Sequence, residues 1–115
     1  MNRRAELASL IPERDNEGYL LDSANWSRAV AQLLAAEDGL ALTPAHWQVI
    51  DFIRAWYGDT ESVPEARRVI QYLAEGGRDK RAAKQALYDL FPHGYGQQAC
   101  RIAGMRKPLK LMLDV

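Results

Sequence analysis

One cysteine, two histidines and no long apolar run set the first limits on what this 115-residue chain can do. A single thiol, Cys100, cannot close an intrachain disulfide, which excludes a disulfide-stapled secreted scaffold and fits a reducing compartment. His46, His93 and Cys100 show no ligand spacing, so no metal site is expected. No apolar stretch approaches the roughly 20 residues a helix needs to cross a bilayer. Met1-Asn2-Arg3-Arg4-Ala5-Glu6 leads into no secretory hydrophobic segment, so the expected location is the cytoplasm. A phosphate-cradling glycine loop and a nucleophile elbow are missing, and no cofactor is expected. There are no internal repeats and no low-complexity tract.

What is present is an ordinary globular composition, 48% apolar and 26% charged, in a length that makes one domain with one modest core over residues 1–115. The net charge of zero hides an asymmetry. Residues 1–61 carry ten acids and five bases, and residues 62–115 the reverse. The basic half holds two clusters, Arg78, Lys80, Arg81 and Lys84, then Arg101, Arg106, Lys107 and Lys110. Such clusters attract nucleic acid or an acidic protein, or simply solvate two helix faces.

Apolar periodicity makes the chain mainly α. Residues 7–21 read as a short β-hairpin around Asp15-Asn16-Glu17-Gly18. Asp22 or Ser23 caps a first helix with Trp26, Ala29, Val30, Leu33 and Leu34 on one face, stopped by Gly39. Thr43-Pro44 opens a second helix, apolar around most of its circumference, which belongs in the middle of a bundle. Ser62-Val63-Pro64-Glu65 reads as a capping box for a third, ended by Gly76-Gly77. Asp79 caps a fourth, closed by Pro92. A short fifth helix covers about 97–103, within a helical body of about 22–103. An extended arm takes up 104–115, since Pro108 resists helix.

Several segments also match one family in order and spacing. They are Asp15 to Leu20, Asp22 with Trp26 and Val30-Ala31, Leu42-Thr43-Pro44 with His46-Trp47 and Val49-Ile50, Arg54 with Tyr57, Pro64 with Arg67, and Leu87 to Pro92. The most specific is Gln98-Ala99-Cys100-Arg101-Ile102-Ala103-Gly104 followed by Lys107-Pro108. Together they resemble the DsrC/TusE family of sulfur-relay proteins. The resemblance implies an orthogonal helical bundle with a small N-terminal hairpin and a mobile C-terminal arm. It implies that the arm's terminal cysteine takes up sulfur as a persulfide. DsrC proteins have a further cysteine upstream on the last helix and work with dissimilatory sulfite reductase. TusE proteins pass sulfur toward the enzyme that thiolates the tRNA wobble uridine. The implied partners are sulfur-relay or sulfite-reductase-type proteins.

The tail departs from that pattern. Cys100 matches the upstream cysteine, and Leu111 stands where the terminal one belongs. Met105-Arg106 and Leu109-Lys110 replace the family's Leu-Pro and Thr-Gly, and the lost glycine removes backbone freedom from the arm. The expected function is therefore docking on sulfur-transfer partners without the usual terminal persulfide chemistry, with Arg101, Gly104, Arg106, Lys107 and Pro108 as the partner-binding segment. Cys100 has two readings: a sulfur carrier activated by Arg101, or a small buried core residue. His46, in the first turn of the second helix, reads as structural, and His93 earns no stronger role. A different class of function stays open: a regulatory protein of the same fold. It would bind DNA through the helix pair flanking Gly76-Gly77, with Arg78, Lys80, Arg81 and Lys84 as contacts.

Overall fold

The computed structural model describes residues 10–106. They form four α-helices, α1 (Arg28–Glu37), α2 (Pro44–Thr60), α3 (Ala66–Ala74) and α4 (Lys80–Leu90), followed by a π-helical segment, Tyr95–Cys100. Several starts and stops have a local chemical cause that is visible in the sequence. Gly39, at φ +70°, ends α1. Pro44 is the first residue of α2, and His46 completes its cap by accepting the Thr43 N–H on Nδ1 at 3.0 Å. Asp79 caps α4 by accepting the Ala82 N–H at 2.7 Å.

Three expectations are corrected. The hairpin shrinks to one antiparallel bridge between Arg14 and Leu20, with no strand among the described residues. The turn is held by Asp15, whose carboxylate accepts the Glu17 and Tyr19 N–H groups at 2.8 and 3.0 Å. Pairing ends after Leu21 because Asp22 diverts the chain into a 3₁₀ turn, Ser23–Asn25. Residues 7–9 of that expectation lie outside the described residues. The first helix, secondly, has two starts. Asp22 caps the 3₁₀ turn, Trp26 is extended, and Ser27 caps α1 by accepting the Val30 N–H at 3.1 Å. Thirdly, Ser62-Val63-Pro64-Glu65 makes no capping box. The Ser62 hydroxyl pairs with that of Thr60 at 2.9 Å, and α3 begins after Glu65, which makes no side-chain cap. That stretch instead presents the carbonyl of buried Pro64 to the Tyr95 hydroxyl.

One core unites these elements. Leu34 from α1, Val49, Ile50 and Ile53 from α2, Val69 from α3 and Leu87 from α4 meet Phe91, Ala99, Ile102 and Met105. α2 is central, as its apolar circumference predicts. Phe52 stacks on Tyr72 of α3 at 4.5 Å between ring centroids, and the Nε2–H of His46 donates to the Leu90 carbonyl at 2.8 Å. That tautomer follows from Nδ1 being the acceptor of a backbone N–H. The last helix packs into the same core as the other four.

Candidate functional site

The segment that carries the sequence signature is built from both ends. Gly94, at φ +99°, turns the chain out of α4. Gln98 then joins three elements: its Oε1 accepts the His93 N–H at 3.1 Å, and its Nε2 donates to Asp38 Oδ2 at 3.0 Å. Arg101 donates from Nη2 to the same Asp38 oxygen and from Nε to the Gln97 carbonyl at 3.1 Å. Its Nη1 lies 3.8 Å from Glu37, which Arg14 also grips through two bonds of 2.7 and 3.1 Å. Asp38 and Glu37 stand at the C-terminus of α1, where a helix dipole disfavours acids, so the two arginines correct the local charge.

Cys100 is fully buried in the apolar core. The Arg101 guanidinium, which sequence adjacency offers as an activator of the thiol, is committed to Asp38 and Glu37 instead. Tyr19 covers the same helix, and its hydroxyl donates to the Gly96 carbonyl at 3.0 Å. Burial first, and then the nearness of Cys100, push the Tyr19 hydroxyl up to about 12. Because a sulfur donor has to reach a thiolate, the ground-state fold gives it no path to Cys100.

The C-terminal end of this helix is the most heavily built feature. A helix end leaves four carbonyls without partners, and here each has one. The Met105 N–H donates to the Cys100 carbonyl at 3.0 Å and the Gly104 N–H to that of Arg101 at 3.1 Å, a Schellman arrangement with Gly104 at φ +78°. The Trp26 Nε1–H donates to the Ile102 carbonyl at 2.8 Å. Arg54 donates from Nη1 to the Ala103 carbonyl at 3.0 Å and from Nη2 to that of Ser23 at 3.3 Å. Its guanidinium carbon sits 4.2 Å above the Trp26 ring. Burial lowers the Arg54 pKa, but a cation at a helix C-terminus is in its favourable place. A Cβ on Gly104 would come within 2.4 Å of the Trp26 indole, so only glycine lets the backbone lie on that ring. Met105 is buried and Arg106 is exposed. Gly104 and Met105, expected in the arm, are therefore packed on the domain and form a fixed root at the end of the described residues.

The structure separates the remaining candidates. Arg101 is buried in its ion pair and Gly104 lies under Trp26, so of the partner-binding segment Arg106 alone is exposed among the described residues. Lys107, Pro108 and the rest of the arm lie outside the described residues. Lys80, Arg81 and Lys84 share a groove of about 550 Å³ with Arg67 and Arg68, while Arg78 is exposed outside its lining. His93 lines a smaller pocket of about 360 Å³ with Glu17, Tyr19, Asp38, Gln97 and Arg101. Among the described residues no three His, Cys, Asp or Glu side chains are placed to hold a metal ion, and no helix is long and apolar enough to cross a membrane. Sequence reasoning missed the roles of Trp26 and Arg54. The usable signal was an arginine in the middle of the most apolar helix, which needs a buried acceptor.

The family model described as "DsrC like protein" matches residues 8–112. Sulfurtransferase TusE of Yersinia pseudotuberculosis is 38% identical over 105 residues, covering 91% of this chain and 97% of the relative. Sulfurtransferase TusE of Pectobacterium atrosepticum is 41% identical over 96 residues, covering 84% and 88%. Among solved structures, the oxidized gamma-subunit of the dissimilatory sulfite reductase (DsrC) from Archaeoglobus fulgidus superposes with a TM-score of 0.75 at 30% identity. The match covers 84% of this chain and 89% of that one. The NMR structure of Allochromatium vinosum DsrC gives 0.72 at 37% identity, covering 82% and 84%. The helical body, the signature around Cys100 and these matches agree: the chain belongs to the DsrC-like family.

Proposed function

We propose that this chain is a sulfur-relay protein that docks on sulfur-transfer partners through the segment beginning at its arm root, with Arg106, Lys107 and Pro108 as contacts, and that it carries no sulfur at the family's terminal position. One observation carries the reading. The root of the arm is fully constructed, from Trp26, Arg54 and Gly104, while the chain's single thiol is sealed in the core and Leu111 occupies the carrier position. The names of the relatives, sulfurtransferase TusE and DsrC, supply the class of partner. The regulatory, DNA-binding alternative finds no support in them.

A protein with the mount but not the sulfur should compete with one that has both. The test adds this chain to a cysteine-terminated relative, loaded as the persulfide, in the presence of that relative's sulfur acceptor. Transfer should slow as the concentration of this chain rises, and intact mass should show no added sulfur on it. Unchanged transfer at tenfold excess over the relative would refute docking. Rapid stoichiometric gain of one sulfur atom on the folded chain would refute the claim that it is not a carrier and assign that role to Cys100.

A further inference from the structure

The charges on α3 and α4 run the wrong way for helix stability. Acids belong in the first turn of a helix and bases in the last, where they complement the dipole. α3 instead opens with Arg67 and Arg68 and reaches Glu75 at its C-cap, and α4 opens with Lys80 and Arg81, follows with Lys84, and keeps Asp89 for its last turn. Neither helix has an acid in its first turn or a base in its last, which α1 and α2 share; here, in addition, the misplaced cations of two helices face one groove. All five cations are exposed and line one groove of about 550 Å³ between the two helices, with Ile70 half-buried in its wall and no acid in the lining. Two neighbouring acids temper the field from outside: Glu65 pairs with Arg67 Nε at 3.1 Å, and Asp79 is spent on its cap.

From these five exposed cations in one lining that holds no acid, we infer that the α3–α4 groove is a docking surface for an acidic segment of a partner protein. Three arginines present planar forks that suit carboxylates. Ile70 and the aliphatic stems of the arginines and lysines give the groove an apolar side. That side favours apolar residues placed between the carboxylates, as in a mixed acidic and aliphatic peptide. The groove is also short, since α4 is about 16 Å long at 1.5 Å per residue. A chain of zero net charge exerts little long-range pull on an extended polyanion, so a short acidic segment suits the groove better. None of the groove residues belongs to the arm root or surrounds Cys100, so this inference stands or falls apart from the sulfur-relay reading.

The test uses a labelled peptide of alternating Glu and Leu, its Glu→Gln counterpart, and a single-stranded oligonucleotide of the same charge, titrated by fluorescence anisotropy against the full chain. The Glu-Leu peptide should bind, weaken with salt and shift the Ile70 methyl signals. Lys80→Glu with Arg81→Glu should reduce that binding tenfold or more while melting at the same temperature or higher, because it corrects the order of charges on α4. A Lys-Leu peptide should regain affinity for this variant. Equal binding of the Glu-Leu peptide to the variant, a lower melting temperature for the variant, no gain with the Lys-Leu peptide, or tighter binding of the oligonucleotide would each overturn the proposal.

Discussion

Replacing Gly104 with alanine tests the arm root most directly. The position has φ +78°, and an added Cβ would lie 2.4, 2.7 and 2.8 Å from three atoms of Trp26. The left-handed conformation alone costs a residue with a Cβ roughly 1–2 kcal/mol. Moving the ring also breaks the indole hydrogen bond to the Ile102 carbonyl, about 0.5–1.5 kcal/mol, and unseats Arg54 from the ring face, about 0.5–2 kcal/mol. The sum is about 2–5.5 kcal/mol, or roughly 8–22 °C in melting temperature at about 4 °C per kcal/mol for a domain of this size. Gly39→Ala is the internal control. Its φ is +70°, with nothing within 4 Å of the added Cβ, so only the conformational cost of roughly 1–2 kcal/mol remains. Thermal denaturation followed by circular dichroism gives both values. Combining Gly104→Ala with Trp26→Ala should then cost less than the two single changes added, since removing the ring removes the clash. Equal losses for Gly104→Ala and Gly39→Ala, or strict additivity in the double variant, would refute the reasoning.

Two further outcomes follow from Tyr19 and Cys100. The Tyr19 hydroxyl is raised from 10.0 to about 12 in the fold, so its neutral form is favoured there, and its contribution to stability is complete below pH 10 and lost as the pH climbs toward 12. Tyr19→Phe should flatten part of the alkaline fall in denaturation free energy over that window; an unchanged alkaline profile would show that Tyr19 does not titrate there as described. Cys100, buried in the core, should resist maleimide in the folded protein and react at once in denaturant; comparable rates in the two conditions would mean that the thiol is open to solvent.

What was legible in the sequence was chemistry that completes itself within a few residues. Thr43 with Pro44, Gly39 and Asp79 each needed only neighbours to mark a helix boundary, and each did. Asp22 and Ser27 are both competent caps. The sequence could show a cap but not that two starts, five residues apart, are both used. The extended Trp26 between them makes sense only beside Ile102, 76 residues later. Arg101 misled for the same reason. Its neighbour in sequence is Cys100, but its charge belongs to Asp38, 63 residues earlier. Ser62 was drawn away from its expected cap by Thr60, a competition between two hydroxyls that spacing alone does not rank. Family resemblance recovered the helical fold. The burial of Cys100 was one of two readings left open.

The end of the last helix has a mechanical consequence. With the carbonyls of residues 100–103 all engaged, a pull at Arg106 is met first by buried Met105, whose N–H holds the Cys100 carbonyl, and then by the Gly104–Trp26 contact and the Arg54 bond to the Ala103 carbonyl. Arg54 passes its share on to α2 and, through its other bond, to the Ser23 turn, so the load divides between the backbone at Cys100 and the centre of the bundle. Tension applied there would reach the residue that bears the thiol as early as it strained the mount.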